Sequence, residues 1–122
     1  MQKNESNPAG QKVCDLNFLT VTMGGNKLLV SDIMKEFLIQ VPVELQCMKS
    51  ALGEVNYQKI KSYAHSMKST FSIMGISMVI PLLSALELIG SKEAGIEEAR
   101  ALDVQLCQIA NQALEEIRLL SS

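Results

Sequence analysis

Histidine occurs once in this chain, as His65, within the heptapeptide "AHSMKST" that runs from Ala64 to Thr70. A histidine ring is mostly neutral at pH 7, and the neutral ring carries a lone pair that makes it a nucleophile or a proton acceptor. Lys68 follows three residues later, and a nearby positive charge favours the neutral ring. A phosphoryl group on this ring would place its negative charge beside the Lys68 ammonium. His65 is therefore the first candidate for a reactive side chain.

The helical spacing around His65 predicts that its side chain points away from the core. Each residue of an α-helix turns by about 100°, so Lys61, Lys68, Ser69 and Ser72 fall within about 60° of His65. The apolar residues of the same segment fall at least about 120° away, and these are Ile60, Met67, Phe71 and Met74. A buried core histidine is thus disfavoured, but an ordinary solvated surface still competes with a reactive role.

The rest of the sequence offers few other reactive groups. Cys14, Cys47 and Cys107 are odd in number and far apart, which fits neither a CxxC metal site nor a secreted disulfide framework and predicts a reducing, cytoplasmic environment. A cysteine could still meet His65 in space, although none lies on its face of the helix. No GxxxxGK[ST] or GxGxxG motif is present to bind ATP or a dinucleotide. The net charge of −2 and the pI of about 5.4 do not suit a protein that binds nucleic acid.

Helical patterns account for most of the chain and predict an all-α fold. Val13 to Met23 has room for one short helix or an extended piece that covers an end of the core. Asn26 is a good N-cap for a long helix that ends near Gly53, and Pro42 inside it predicts a kink or two helices laid nearly end to end. The apolar stripe of this long helix comprises Leu29, Ile33, Phe37, Val41, Leu45, Met48 and Leu52.

Three further helices follow, joined by short connections. Asn56 caps the helix that carries His65, which stops at Gly75, and the next helix fills roughly Ser77 to Ile89 with Pro81 near its start. After "GSKEAG", a last helix carries a bundle seam made of Ala99, Leu102, Leu106, Ile109, Ala113, Ile117 and Leu120. Short connections imply antiparallel neighbours, so the predicted architecture is an up-and-down antiparallel four-helix bundle with a short extra N-terminal helix.

The polar start, "MQKNESNPAGQK", predicts a disordered tail or linker over residues 1–12, and residues 13–122 then form one domain. The uncharged run from Ser69 to Leu86 has the length of a membrane span. Its serines, together with Gly75 and Pro81, instead favour two amphipathic helices that meet at a turn. A membrane-associated helical protein is therefore the weakest hypothesis, and we expect a cytoplasmic monomer without membrane contact.

The segment "HSMKSTFSIMG" resembles the signature of the histidine-containing phosphotransfer (HPt) domains of bacterial and fungal phosphorelays. That signature has a histidine, any residue, an apolar residue, a lysine and a glycine, with a further glycine about five residues on. In this chain the matching positions are His65, Met67, Lys68, Ser69 in place of the usual glycine, and Gly75. The resemblance extends over roughly residues 16–120.

The resemblance implies a role for each of these positions. His65 would accept a phosphoryl group from a receiver-domain aspartate and pass it to another receiver, and Lys68 would steady the phosphate. Small residues at positions 69 and 75 would let the backbone of the partner come close. The expected close-approach and partner surface comprises Lys61, Ser69, Ser72 and Gly75.

Two positions depart from the family pattern. The hydroxymethyl group of Ser69 stands where close approach is wanted, so it would narrow the choice of partner. Glu87 stands one helix away from the histidine, where family members commonly have a glutamine. It could orient the ring of His65 by a hydrogen bond, although its charge would repel a phosphate.

The resemblance also implies a phosphocarrier rather than a kinase, with no cofactor or metal of its own. No cluster of carboxylates accompanies His65 in the sequence, so Mg²⁺ and most of the catalysis would come with the receiver partner. The segment from Lys49 to Lys68 carries four lysines against Glu54, which suits an acidic receiver pocket. The receivers would be response-regulator domains, either on separate proteins or within the same hybrid histidine kinase. The alternative function is a helical docking module of the same fold that performs no phosphoryl chemistry.

Overall fold

Helices make up nearly all of the computed structural model, which describes residues 13–121. The elements in chain order are α1 (Leu16–Thr22), α2 (Lys27–Glu54), α3 (Tyr57–Ile73), a 3-10 turn (Ser77–Val79), α4 (Ile80–Lys92) and α5 (Ile96–Ser121). Residues 13–121 contain no β-strand. The predictions of an all-α fold and of a short N-terminal helix are confirmed, whereas the predicted tail at residues 1–12 lies outside the described residues.

The four long helices surround one apolar core. α2 and α4 each pack against both α3 and α5, so the helices form a closed ring of neighbours. Phe37 of α2 meets Phe71 of α3 edge to face, with ring centroids 5.4 Å apart. The largest fully buried side chains include Leu19, Met48, Ile60, Met67, Met74, Leu83, Leu86, Leu106 and Ile117. Methionine and branched aliphatic residues therefore fill most of the core around this aromatic pair.

α2 is one continuous helix that passes through Pro42, so the alternative of two helices laid end to end is wrong. Pro42 lies at the exposed surface beside buried Val41, and the packing of the neighbouring turns outweighs the loss of one backbone N–H. The helix ends at Glu54, which agrees with the predicted end near Gly53. Val55 follows it in the left-handed conformation, at a φ of 52°.

The two predicted apolar stripes leave the core at their ends. Leu29 in α2 and Leu120 in α5 are exposed, with 41% and 45% of their surface accessible. Met34, Ala110 and Leu114 are buried instead. In α2 most steps of the predicted stripe are four residues long, and each turns about 40° beyond a full turn, so Leu29 lies about 160° around the helix from Leu45. Leu120 lies in the last turn of α5, which ends at Ser121.

α4 begins at Ile80 and accommodates Pro81 in its first turn, where a missing backbone N–H has no intrahelical partner to lose. The helix continues to Lys92, three residues beyond the predicted end at Ile89. Gly90 therefore lies inside α4, and it is buried there. The sequence pattern had placed this glycine at the start of the following loop.

The uncharged run from Ser69 to Leu86 is divided between the end of α3, the 3-10 turn and the start of α4. Within residues 13–121, no helix combines the length and the apolar character that crossing a membrane requires.

A buried carboxylate holds the start of the described chain against α5. Glu116 accepts hydrogen bonds from the backbone N–H groups of Val13 and Cys14, at 2.8 and 3.0 Å. The side chain of Gln112, one turn earlier on α5, donates to the same carboxylate at 3.1 Å. These bonds satisfy backbone donors that leave solvent as the chain enters the bundle.

Candidate functional site

The side chain of His65 projects from α3 into solvent, with 75% of its surface accessible. Ile60, Met67 and Phe71 lie on the other side of the same helix and are fully buried. The predicted orientation of the histidine is confirmed, and the interpretation as a buried core histidine is wrong. The 100° turn per residue suffices for this result because the helix is regular from Tyr57 to Ile73.

The ends of α3 are fixed by the signals that the sequence shows. The side chain of Asn56 accepts a hydrogen bond from the backbone N–H of Lys59 at 3.1 Å and so caps the first turn. Gly75 follows the last turn with a φ of 70°, a left-handed conformation that glycine adopts without steric cost. His65 therefore stands in the middle of a well-capped helix rather than on a flexible loop.

Glu87 on α4 connects His65 to Lys68. Its Oε2 atom lies 2.8 Å from Nδ1 of His65, and its Oε1 atom accepts a hydrogen bond from Nζ of Lys68 at 3.0 Å. The three side chains differ in exposure, since Lys68 and Glu87 keep only 34% and 23% of their surface accessible. The half-buried ion pair of Glu87 and Lys68 thus holds the ring at its Nδ1 edge, and the opposite edge of the ring faces solvent.

The electrostatics of the site keep Glu87 ionised. The hydrogen bond from Lys68 and then that from His65 lower the pKa of this carboxyl below its ordinary value. An ionised carboxylate only accepts hydrogen bonds, so Nδ1 of His65 must be the donor in the 2.8 Å contact. The neutral ring then has its proton on Nδ1 and its lone pair on Nε2. The exposed nitrogen is the one that can act as a nucleophile.

A polar cleft of about 410 Å³ opens beside the ring. It is lined by Gln58, Lys61, Ser62, His65 and Glu87. The structure therefore brings Lys61, one of the predicted surface residues, to the same cleft as the histidine. Gln58 and Ser62 were missed in the sequence analysis, although each lies one or two helical turns before His65 on the same face.

The remaining predicted surface residues lie further along α3. Ser69 and Ser72 are exposed, and Ser72 lines a second cleft together with Gly75 and Phe18. A Cβ atom at position 75 would lie 2.7 Å from Cβ of Asp15 and 3.2 Å from the ring of Phe18. Contacts within this chain therefore explain why residue 75 is a glycine. Gly75 lies just after the C-terminal end of α3, whereas His65 lies in the middle of that helix.

Gly90 is a further residue of this region, and the sequence patterns did not predict its contact with α3. It lies one turn after Glu87 on α4, where the backbones of α3 and α4 come into contact. One signal pointed to it, since Gly95 remained available as the glycine of the following turn.

Within the described part of the chain, no group of three or more histidine, cysteine, aspartate or glutamate side chains is arranged to bind a metal ion. Among the cysteines, Cys107 contacts Asp103 and Lys49, and burial raises the pKa of its thiol. The geometry around His65 is thus that of an exposed nucleophile next to cations, with the chemistry of a site that accepts an anionic group.

Comparison with known proteins gives one family. No curated protein sequence matches the chain, and no solved structure matches it either. A family model described as the Hpt domain matches residues 32–119, which include most of α2 and all of α3 and α4. This match covers well over half of the chain and contains the histidine, the lysine and the glutamate of the site. The chain belongs to the Hpt domain family.

Proposed function

We propose that this domain is a phosphorelay carrier in which Nε2 of His65 accepts a phosphoryl group from the aspartate of one receiver domain and passes it to another. Membership of the Hpt family means phosphotransfer within phosphorelays and interaction with response-regulator receiver domains. The observation that carries the residue assignment is the bond of Nδ1 to Glu87, because it leaves the lone pair on the exposed nitrogen.

The proposed step balances without a separate base. The Nε2 lone pair attacks the phosphorus of the aspartyl phosphate, a P–N bond forms, and the P–O bond to the aspartate breaks with its electron pair leaving on the carboxylate. The imidazole ring becomes positively charged and keeps its proton on Nδ1. The ionised Glu87 stabilises that charge through the existing hydrogen bond. Transfer to the next receiver is the reverse of this step.

Lys68 has two roles in this proposal. Its ammonium offsets the charge of Glu87, so that a phosphoryl group approaching His65 meets less repulsion. In this proposal, the other N–H donors of the ammonium point toward the transferred phosphate. Lys61 adds a second cation at the cleft beside the ring. A receiver active site is acidic, so these lysines would also speed the encounter.

The receiver would supply Mg²⁺ and most of the catalysis, which leaves this chain as a phosphocarrier. Phosphoryl transfer depends mainly on positioning and charge stabilisation. The exposed Ser69, one turn after His65, remains the proposed determinant of how closely a receiver approaches, with Ser72 at the edge of that surface. The up-and-down antiparallel order of the four helices is part of the same proposal. Two contacts support it for α3 and α4. Lys61, the earlier residue on α3, lies against Gly90, whereas His65, the later one, meets Glu87, which precedes Gly90 on α4.

A transfer assay with labelled receivers tests the proposal. The protein is mixed with receiver domains carrying a labelled aspartyl phosphate, and acid-labile, base-stable label is followed on the domain. His65→Gln should abolish labelling while the helical circular dichroism signal stays intact, and ³¹P–¹⁵N correlation should place the phosphorus on Nε2. If receivers bind but no receiver of the source organism transfers label to the wild-type domain, the proposal is wrong and the docking-module alternative is favoured.

A further inference from the structure

Gly90 occupies an unusual position for a glycine. It lies inside α4 with ordinary helical geometry and is buried. Glycine weakens a helix interior relative to alanine because its backbone loses more freedom on folding. No left-handed conformation requires it here, since positive φ angles in this region are confined to Glu93 and Gly95. Its presence therefore needs a packing reason.

The packing reason is the backbone of α3. A Cβ atom at position 90 would lie 2.7 Å from Cβ of Lys61, 2.7 Å from the carbonyl oxygen of Tyr57 and 2.8 Å from the backbone nitrogen of Lys61. All three atoms belong to the backbone of α3 or are attached directly to it, so none can rotate away. An ordinary contact of 3.4 Å would require the two helices to separate by about 0.7 Å at this point.

This contact is one helical turn from the reactive site on both helices. Glu87 precedes Gly90 by one turn on α4, and His65 follows Lys61 by one turn on α3. The carboxylate of Glu87 spans to His65 and Lys68 at once, at 2.8 and 3.0 Å. A carboxylate that is bonded to two groups at once cannot change its rotamer freely to compensate when the helices move apart. Separation of α3 and α4 at Gly90 would therefore lengthen the bond to the histidine beyond hydrogen-bonding distance.

We infer that Gly90 is a positioning residue for His65, which sets the distance between α3 and α4 at which Glu87 holds the Nδ1–H tautomer. The consequence for phosphoryl transfer rests on the proposed function, but the tautomer itself does not. An unconstrained neutral histidine ring favours the proton on Nε2, which would remove the exposed lone pair. Gly90 would thus act on the nucleophile without touching it.

The test is a tautomer measurement on Gly90→Ala with ¹⁵N-labelled histidine, free of any receiver. Long-range ¹H–¹⁵N spectra distinguish the two ring nitrogens, and the single histidine makes them unambiguous. The matched control is Gly53→Ala, since Gly53 also lies within a helix but a Cβ there has no atom within 4 Å. We expect Nδ1–H in the wild type and in the control, and a shift toward Nε2–H in Gly90→Ala. Transfer from a receiver should fall about tenfold in Gly90→Ala alone.

Retention of the Nδ1–H tautomer and of the wild-type transfer rate in a folded Gly90→Ala protein would overturn the inference. If that variant loses helical signal, the spectra are repeated in the Gly53→Ala background with a stabilising osmolyte. Failure to fold there as well would also overturn the inference, because Gly90 would then be required for folding rather than for positioning. Failure of the proposed function is distinct, since it appears as an unlabelled wild-type domain whatever the tautomer of Gly90→Ala.

Discussion

Glu87 lies 2.8 Å from His65, on a neighbouring helix and 22 residues away in sequence. The same carboxylate accepts a hydrogen bond from Lys68. One side chain therefore orients the candidate nucleophile, and its negative charge is offset by the ammonium of the candidate phosphate-binding lysine. This arrangement resolves the conflict that a glutamate raises at this position, where its negative charge would otherwise oppose an incoming phosphoryl group.

Replacement of Glu87 should separate orientation from charge. In Glu87→Gln, the amide oxygen can still accept from Nδ1, so we expect phosphoryl transfer to remain within a few-fold of the wild type. Glu87→Ala removes the acceptor, and we expect the initial transfer rate to fall about tenfold or more. Glu97→Gln, at an exposed glutamate paired with Arg100 on α5, is the control and should change nothing. Equal rates in Glu87→Ala and the wild type would show that the bond to His65 is irrelevant to transfer.

Replacement of Lys68 should expose the charge of Glu87. We expect Lys68→Met to slow phosphoryl transfer from a receiver about tenfold, because the phosphoryl group then meets an unpaired carboxylate. Addition of Glu87→Gln to Lys68→Met should restore part of that rate. The rates are measured by quenched-flow labelling. Lys59→Met is the control, since Lys59 is an exposed lysine whose ammonium lies 4.0 Å from the carboxylate of Glu54. A double variant no faster than Lys68→Met would argue against the charge explanation.

The stability of the fold should depend on pH through Glu87. Its pKa is lowered in the folded protein from an ordinary value of 4.5, chiefly by the hydrogen bond from Lys68. The ionised carboxylate therefore contributes stability that is fully present above pH 4.5 and is lost as the pH falls through the lower folded-state pKa. Urea unfolding between pH 7 and pH 3 should show the wild type losing more stability than Glu87→Gln. Parallel curves for the two proteins would contradict this expectation.

Removal of the Glu116 carboxylate should loosen the N-terminal segment without affecting the site. Glu116→Ala leaves the backbone N–H groups of Val13 and Cys14 without their acceptor, and we expect a loss of about 2 kcal/mol in the free energy of unfolding. Hydrogen exchange at these two amides should accelerate, while labelling of His65 stays at the wild-type level. Glu115→Ala is the adjacent control, because Glu115 is exposed and paired with Arg118 on the surface of α5. Unchanged exchange in Glu116→Ala would show that the hydrogen bonds to Glu116 do not hold the N-terminal segment in place.

Local sequence patterns predicted the helices of the site well, but they did not predict which side chains of α3 and α4 contact each other. The polar and apolar faces of α3 follow from the turn per residue, so the exposure of His65 and the burial of Phe71 could be read directly. The start of α3 also follows from a local signal, the side chain of Asn56. The bond between His65 and Glu87 entered only as a suggestion from family resemblance, since no local rule specifies which residues of α4 face α3.

The amino-acid sequence by itself determined an all-helical chain with one exposed histidine beside lysines, because helix periodicity and capping depend on residues a few positions apart. Only the tertiary structure decided the tautomer of His65, the ion pair of Glu87 with Lys68 and the role of Gly90. Each of these depends on the distance and register between α3 and α4. That distance is set by the packing of two backbones, and packing is a property of residues brought together from separate parts of the chain.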